Sequence, residues 1–140
     1  MDLRETDLVR KLDEMQREID ALKIREAAYP LLATYTPTLN PITGAFSNAS
    51  VLGARYVFGR LCYVTLTVTI TTNGTAAGVR VSLPFAASGV TIICGRENSV
   101  TGHELQGICF GSVMDIYDYG GGYVNADGRV LFMSGIYPTA

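Results

Sequence analysis

The sequence contains no run of about 18 apolar residues, the length that a membrane-spanning helix requires. We therefore expect no helical membrane span. The segment Met1–Glu14 carries charges of both signs and has no apolar core, so we also expect no secretory signal peptide. The formal net charge is only −2 at pH 7. Such a weak balance gives no electrostatic reason to expect a nucleic-acid partner.

Residue types that carry catalysis or bind metals are scarce. The chain has three cysteines without a Cys-x-x-Cys pair, and one histidine, His103, in a predicted turn. The sequence has no pattern of cysteines and histidines that supports a nucleophilic dyad or a zinc site. We expect His103 to be an exposed loop residue. We interpret Cys62, Cys94 and Cys109 as reduced, buried core thiols, with one disulfide plus a free thiol as the alternative. No metal, cofactor or enzymatic activity is expected.

The acidic residues of the C-terminal region form no recognisable site. The spacing of three aspartates and one asparagine matches no calcium loop, so we interpret them as surface turn residues: Asp115, Asp118, Asn125 and Asp127. We interpret Arg96-Glu97-Asn98 as an internal ion pair and a turn. A polysaccharide hydrolase is a minor alternative, in which Glu97 or Asp115 carries the reaction.

The chain changes character near Tyr29-Pro30. Most of the charged residues precede this point, and all 15 glycines and all five prolines lie at or beyond it. We therefore predict two regions, a helical one at residues 1–29 and a β domain at residues 30–140. Because Pro30 cannot lie inside a helix, the helix ends by Tyr29.

Apolar residues in the first region repeat at intervals of four and three, the heptad pattern of a coiled coil. They are Leu8, Leu12, Met15, Ile19 and Leu22. Glu18 and Lys23 then occupy positions g and e, where an ion pair between chains can form. Because a lone helix with so narrow a stripe is marginal in water, we predict that copies of the chain associate through it. The pattern leaves a dimer and a trimer open, and packing of the helix on its own β domain is the alternative.

The second region alternates like β-strands. Segment Cys62–Thr71 places apolar side chains on one face and a threonine-rich set on the other, which can face solvent or a neighbouring subunit. Thr72-Asn73-Gly74-Thr75 predicts a type I′ hairpin that leads into a strand at Val79–Leu83. Six further segments have strand character: Leu31–Thr36, Ala45–Leu52, Val90–Cys94, Leu105–Phe110, Val113–Tyr117 and Arg129–Tyr137. About eight short strands predict a mainly β chain with an antiparallel β-sandwich or jelly roll.

One segment has the composition of a binding loop. Between Tyr117 and Asn125 it combines three tyrosines with acidic and amide side chains around three glycines. Aromatic faces next to hydrogen-bonding groups suit sugar rings and protein epitopes. The candidate ligand-binding residues are Tyr117, Asp118, Tyr119, Tyr123 and Asn125. The alternative is that these tyrosines are packing residues at strand ends.

Five segments carry a family resemblance in the order in which they occur. They are the heptad helix ending in Ile24-Arg25-Glu26-Ala27-Ala28-Tyr29-Pro30, the stretch Leu31–Leu39, the strand Cys62–Thr71, the segment Ser82-Leu83-Pro84-Phe85-Ala86-Ala87, and Gly95-Arg96-Glu97-Asn98 with Thr101-Gly102. Together they resemble the C-terminal modules of fibre and spike proteins from tailed bacteriophages and prophages.

This resemblance implies a homotrimer, with three helices in a coiled coil and three β-sandwich heads around one axis. It implies a place on the virion surface after synthesis in the bacterial host cytoplasm, and binding to a host-cell glycan or protein without catalysis. Because the chain is short for a fibre, we expect Met1–Arg25 to dock onto other virion proteins. The alternative is a structural trimer that decorates the capsid or tail, such as a head fibre or vertex spike, without receptor binding.

Overall fold

The computed structural model describes the backbone of residues 3–28 and 32–140, and the side chains of residues 6–22 and 32–140. The chain divides into two compact units, Met1–Leu31 and Leu32–Ala140. The predicted boundary at Tyr29-Pro30, the predicted strand start at Leu31 and the side chain of Lys23 lie outside the described residues. In the described part of the chain, no helix has both the length and the apolar character that crossing a membrane needs.

The first unit contains one described helix, α1 (Leu3–Ala28). Its side chains form local pairs along the surface, with Arg10 Nη2 lying 3.3 Å from Asp7 Oδ1 and Gln16 Nε2 donating to Asp20 Oδ1 at 2.9 Å. Pairs at these spacings stabilise a helix by only a few tenths of a kcal/mol, about 0.2–0.5 each. All five side chains of the heptad's apolar stripe are exposed.

The second unit is built from strands, so the prediction of a mainly β chain is confirmed. Within residues 32–140 the strands are β1 (Ala33–Tyr35), β2 (Leu39–Asn40), β3 (Asn48–Phe58), β4 (Leu61–Thr72), β5 (Val79–Ser82), β6 (Thr91–Glu97), β7 (Glu104–Phe110), β8 (Val113–Asp118) and β9 (Arg129–Pro138). All eight predicted segments overlap a strand, and the two-residue β2 is an addition that the sequence pattern did not indicate.

The nine strands form one antiparallel sheet in the order β1-β3-β4-β9-β6-β7-β8-β5-β2. Its two end strands are joined by residues 36–38 alone, a link that spans at most about 14 Å. The two ends of the sheet therefore approach each other, and the sheet is curled. The Tyr35 hydroxyl donates to the Ser82 carbonyl at 3.4 Å, and Thr38 N donates to Ser82 Oγ at 2.8 Å. Hydrogen bonding thus links all strands in one sheet, and the predicted division into two packed sheets is not shown.

The hydrophobic core lies on the concave side of this sheet. Every second side chain of β4 is buried there, from Cys62 to Ile70, in the alternation that the sequence predicted. Burial of such a side chain contributes about 1.5–3 kcal/mol, so β4 supplies a large part of the stability. Tyr137 of β9 is fully buried, and its hydroxyl donates to the Phe85 carbonyl at 3.0 Å. That bond holds the loop between β5 and β6 against one end of the core.

The Asn73-Gly74 turn does not form the predicted hairpin. Strand β4 pairs with β3 and β9, whereas β5 pairs with β2 and β8. A type I′ turn requires a positive φ at both central residues, but of these two only Gly74 has one, at 67°. Asn73 is held differently, since its backbone N–H donates to Asp127 Oδ1 at 2.6 Å and its side-chain amide donates to the Ala76 carbonyl at 3.0 Å. After this turn the chain does not pair with β4, so the hairpin prediction is wrong.

The three thiols are free, but they are not all in the core. Cys62 and Cys109 are buried as expected, whereas Cys94 is exposed. In the β6 register Cys94 lies opposite Ser134 on one side and Gln106 on the other. That row points away from the core, so the prediction that Cys94 is buried is wrong.

Candidate functional site

The end of β8 and the tight turn that follows it hold four of the five candidate ligand-binding residues. Asp118 closes the turn, because its N–H donates to the Gly122 carbonyl at 2.9 Å and its Oδ1 accepts from Gly122 N at 2.6 Å. Gly121 N donates to the Asp118 carbonyl at 2.9 Å, and Gly121 has a φ of 84°, which suits glycine. The glycine run is therefore a structured turn that presents Tyr119 and Tyr123 from a fixed base.

Two tyrosine rings stack at the end of this turn. Tyr117 and Tyr123 form an isolated β-bridge, and their ring centroids lie 5.9 Å apart at an interplanar angle of 23°. Tyr123 is exposed and Tyr117 is half-buried. Burial raises the pKa of the Tyr117 hydroxyl, and the neighbouring Asp115 adds to the shift. The two stacked rings, each with a polar tip, have the character of a stacking platform.

An ion pair between a partly exposed guanidinium and a buried carboxylate lies beside the tyrosines on the convex side of the sheet. Arg80 of β5 donates to Asp115 of β8 through Nε at 2.6 Å and through Nη2 at 2.7 Å. The register places these two residues opposite each other, and the guanidinium lies 5.6 Å from the Phe110 ring centroid. The hydrogen bond to Asp115 raises the pKa of Arg80. The interpretation of Asp115 as a surface turn residue is wrong, because it is buried within β8.

These five side chains form one continuous set, which we call the aromatic strip. It consists of Phe110, Arg80, Asp115, Tyr117 and Tyr123. A bidentate pair between a guanidinium and a carboxylate is rigid and directional, so it fixes the platform on which the rings lie. The strip combines two flat ring faces with a partly exposed cation, which are groups that contact sugars and polar epitopes.

Tyr119 projects from the turn into a separate shallow pocket. The pocket has a volume of about 280 Å³ and is lined by His103, Glu104, Asp118, Tyr119 and Gly120. Tyr119 N donates to the Glu104 carbonyl at 3.2 Å, which holds the turn against β7. His103 is exposed just before β7, as expected. The pocket places an exposed ring next to two carboxylates and one imidazole.

Asn125 faces away from the tyrosines and supports the fold. Its Oδ1 accepts from Gly78 N at 2.7 Å, and its Nδ2 donates to the Ala76 carbonyl at 2.5 Å and to Asn73 Oδ1 at 3.2 Å. Both ends of the amide are therefore used by the connection between β4 and β5. The structure brings Tyr117, Asp118 and Tyr123 together and places Asn125 elsewhere.

Arg80 and Phe110 belong to the strip but were not among the candidate residues. Arg80 is one of two polar positions in the alternating segment Val79–Leu83, and this alternation indicated only that its side chain leaves the core. No local feature of the sequence connects Arg80 to Asp115, which lies 35 positions away along the chain.

Glu97 is a fully buried carboxylate without an ion-pair partner among the described residues. Its Oε1 accepts from Ser99 N at 2.8 Å, Ser99 Oγ at 2.7 Å and Val100 N at 2.9 Å. Its Oε2 accepts from Thr101 N, from Thr101 Oγ1 at 2.6 Å and from Gly102 N at 2.9 Å. The predicted ion pair with Arg96 is wrong, because the two side chains leave opposite faces of β6.

Both carboxylates of the minor hydrolase alternative are occupied within the fold. Glu97 is saturated by the loop that follows β6, and Asp115 is engaged by Arg80. Among the side chains that the structure describes, no three histidine, cysteine, aspartate or glutamate residues converge on a point that could hold a metal ion.

Comparison of the chain with protein-family models, with curated proteins and with solved structures gave no significant match.

Proposed function

We propose that the chain is a non-enzymatic fibre or spike protein of a virion, in which α1 bundles three copies and the β unit recognises the host surface. The observation that carries this proposal is the apolar stripe of α1. Its five side chains are each 42 to 63% exposed in the single chain: Leu8, Leu12, Met15, Ile19 and Leu22. A stripe this narrow matches the seam of a coiled coil.

The energy of the stripe supports association. Because each side chain is already partly covered, its further burial in a bundle contributes about 1 kcal/mol, or about 5 kcal/mol for each chain. The loss of translational and rotational freedom on association costs about 4–15 kcal/mol. At the lower end of this cost the helix holds the copies together by itself, and contacts between the β units add to the stability of the bundle. The resemblance to fibre modules favours three copies over two.

The β unit suits the part of a head domain. It has its own core inside the curled sheet, and in this proposal the sheet takes the place of the sandwich that the resemblance implies. The aromatic strip and the Tyr119 pocket are the proposed recognition surface. Stacked rings beside a fixed guanidinium can contact the apolar face of a sugar and donate hydrogen bonds to its hydroxyl groups.

The oligomer is tested by light scattering of the full chain at micromolar concentration. We expect a mass three times the 15.1 kDa of one chain. Replacement of a seam residue, Leu12→Gln, should lower this mass. Arg17→Gln introduces the same side chain on the opposite side of the helix and should leave the mass unchanged. A monodisperse single chain with α1 folded would overturn the proposal.

Recognition is tested with glycan arrays and with cells of a susceptible host. We expect binding that Tyr123→Ala weakens about tenfold or more, as loss of a central aromatic contact does. Tyr123→Phe keeps the ring and should retain most of the binding. If the folded trimer binds neither glycans nor cells, and imaging finds it on the capsid or tail, the decorating alternative replaces host recognition.

A further inference from the structure

The convex side of four neighbouring strands, β3, β4, β9 and β6, forms a broad face that no described residue covers. Paired residues of adjacent strands share a face, so the register identifies its members. We call this set the convex face. Its residues are Ser50, Leu52, Ala54, Tyr56, Phe58, Leu61, Tyr63, Thr65, Thr67, Thr69, Ile92, Cys94, Arg96, Val130, Phe132, Ser134 and Ile136.

Large apolar side chains are exposed across the middle of the convex face. Leu52 is 74% exposed, Ile92 60%, Ile136 54% and Phe132 43%. Leu52 and Phe132 flank Thr67 in a single row across three strands. Scattered apolar residues are normal on a protein surface, but a contiguous patch of this kind marks a contact with another molecule.

The convex face is almost free of charge. Its only charged member is Arg96, which lies on the outermost of the four strands. The remaining polar groups are hydroxyls and one thiol, and some already bond to each other, such as Tyr63 Oη and Ser134 Oγ at 2.8 Å. Depletion of charge with aromatic enrichment is typical of the centre of a protein interface. Because the convex face carries almost no charge, it offers no complementary charges to a charged ligand. It suits contact with the same face of other copies.

The size of the convex face indicates how it is used. Four strands about 4.8 Å apart, and a run of nine residues rising about 3.4 Å each, cover on the order of 500 Å². In a trimer each copy divides this face between its two neighbours, so each pair of copies buries about 500 Å², below the roughly 1,000 Å² of a specific interface. This area holds two free chains weakly. Copies that are already joined by a helix meet at millimolar effective concentration, where a weak face becomes occupied.

We propose that the convex face is the surface through which the β units of neighbouring copies pack on each other. This inference rests on the proposed function in one respect, because α1 has to bring the copies together. It also assigns the threonine-rich side of β4 to the interior of the assembly, since Thr65 and Thr67 lie at the centre of the face. The aromatic strip lies on β5, β7 and β8, so it stays accessible to a ligand.

The native thiol of Cys94 allows this proposal to be tested without introducing a cysteine. Cys94 is exposed in the single chain and lies on the convex face, whereas Cys62 and Cys109 are buried. Thiol reactivity follows exposure, so a maleimide should modify Cys94 first in an isolated β unit. In the proposed assembly the neighbouring copy covers this thiol.

The experiment measures the rate of maleimide modification of the full chain by mass spectrometry, with the light-scattering mass of the same sample. We expect a trimer in which Cys94 reacts about tenfold more slowly than a thiol in a short unstructured peptide. Leu52→Lys places a charge on the convex face and should restore fast reaction while α1 keeps the trimer mass. Val100→Lys changes a residue of similar exposure in a loop outside the face, and it should react like the wild type.

The outcomes separate the two proposals. A trimer in which Cys94 of the unmodified chain reacts as fast as the peptide overturns the role of the convex face and leaves the proposed function intact. A chain that is monomeric at every micromolar concentration overturns the proposed function itself. Circular dichroism checks that Leu52→Lys is folded, and Phe132→Ser serves as a second variant on the same row. Slow reaction in both folded variants would also overturn the proposal.

Discussion

Replacement of the buried Glu97 by glutamine should destabilise the β unit strongly, although the two side chains have nearly the same shape. Six donors converge on the two carboxylate oxygens, from Ser99, Val100, Thr101 and Gly102. An amide nitrogen cannot accept a hydrogen bond. Glu97→Gln therefore leaves one group of three donors facing another donor.

The cost follows from those three donors. A buried donor without an acceptor costs about 1–3 kcal/mol. The residues of this loop are largely exposed, so a hydroxyl that is released can turn to water, and the two backbone amides dominate the cost. We expect Glu97→Gln to lower the free energy of unfolding by about 2–4 kcal/mol. For a domain near 100 residues this corresponds to a fall in Tm of about 10–20 °C.

Acid should remove most of this difference. Burial would raise the pKa of Glu97, but the hydrogen bonds from Ser99, Thr101 and the backbone outweigh it and hold the pKa well below its usual range. An ordinary glutamate in the unfolded chain has a pKa of about 4.3. Because the folded pKa is depressed, the stabilisation is complete above that pH and is lost as the pH falls below it. The slope is at most about 1.4 kcal/mol for each pH unit.

The assay is urea unfolding at pH 7 and at pH 3, followed by far-ultraviolet circular dichroism at one protein concentration. Glu104→Gln is the matched control, because Glu104 is exposed on the neighbouring strand β7, and it should change the stability by less than about 0.5 kcal/mol. The reasoning fails if Glu97→Gln is as stable as the control at pH 7, or if its difference from the wild type is as large at pH 3 as at pH 7.

Two further predictions concern the packing of the sheet and its ion pair. An added Cβ at Gly95 would lie 2.2 Å from the Phe132 carbonyl oxygen, which belongs to the paired strand, whereas at Gly107 it would meet only flexible side-chain ends and Ile93. Gly95→Ala should therefore lower the Tm more than Gly107→Ala, and equal effects in a melting experiment would contradict this. Arg80→Met leaves the carboxylate of Asp115 buried and unpaired. Because Arg80 is partly exposed, we expect the free energy of unfolding to fall by about 1–3 kcal/mol in urea at pH 7. An unchanged free energy of unfolding would contradict the structural role of the pair.

The strand positions were predictable because their signal is local. Strand β4 occupies Leu61–Thr72 where the alternation predicted Cys62–Thr71, since period-two patterning and β-branched residues act over neighbouring positions. Strand β2 has only two residues and exists through its pairing with Arg80 and Val81. The order of the strands in the sheet depends on contacts between distant segments, and no local pattern encodes them.

The candidate site was predicted only in the part that is continuous in sequence. Tyr117, Tyr123 and Asp118 come together because a short turn connects them. Composition alone could not show that the Asn125 amide bonds to the connection between β4 and β5 and is therefore not free to contact a ligand. Glu97 lies on the same side of β6 as Ile93 and Gly95, the side that faces the core. The alternation of β6 implied this placement, but the adjacent Arg96 suggested an ion pair.

The shortness of the two end strands decides where another chain can pair with the sheet. β1 has three residues and β2 has two, and the link of residues 36–38 joins them. Exposed edge strands recruit foreign chains by backbone pairing and lead to fibrils. β1 and β2 themselves offer little backbone for that, whereas residues 48–52 and 56–58 of β3 extend beyond the pairing with β1. A foreign strand thus finds more free backbone on β3 than on the end strands, and other contacts of the sheet are made by side chains, which can change one residue at a time while the backbone of the sheet stays the same.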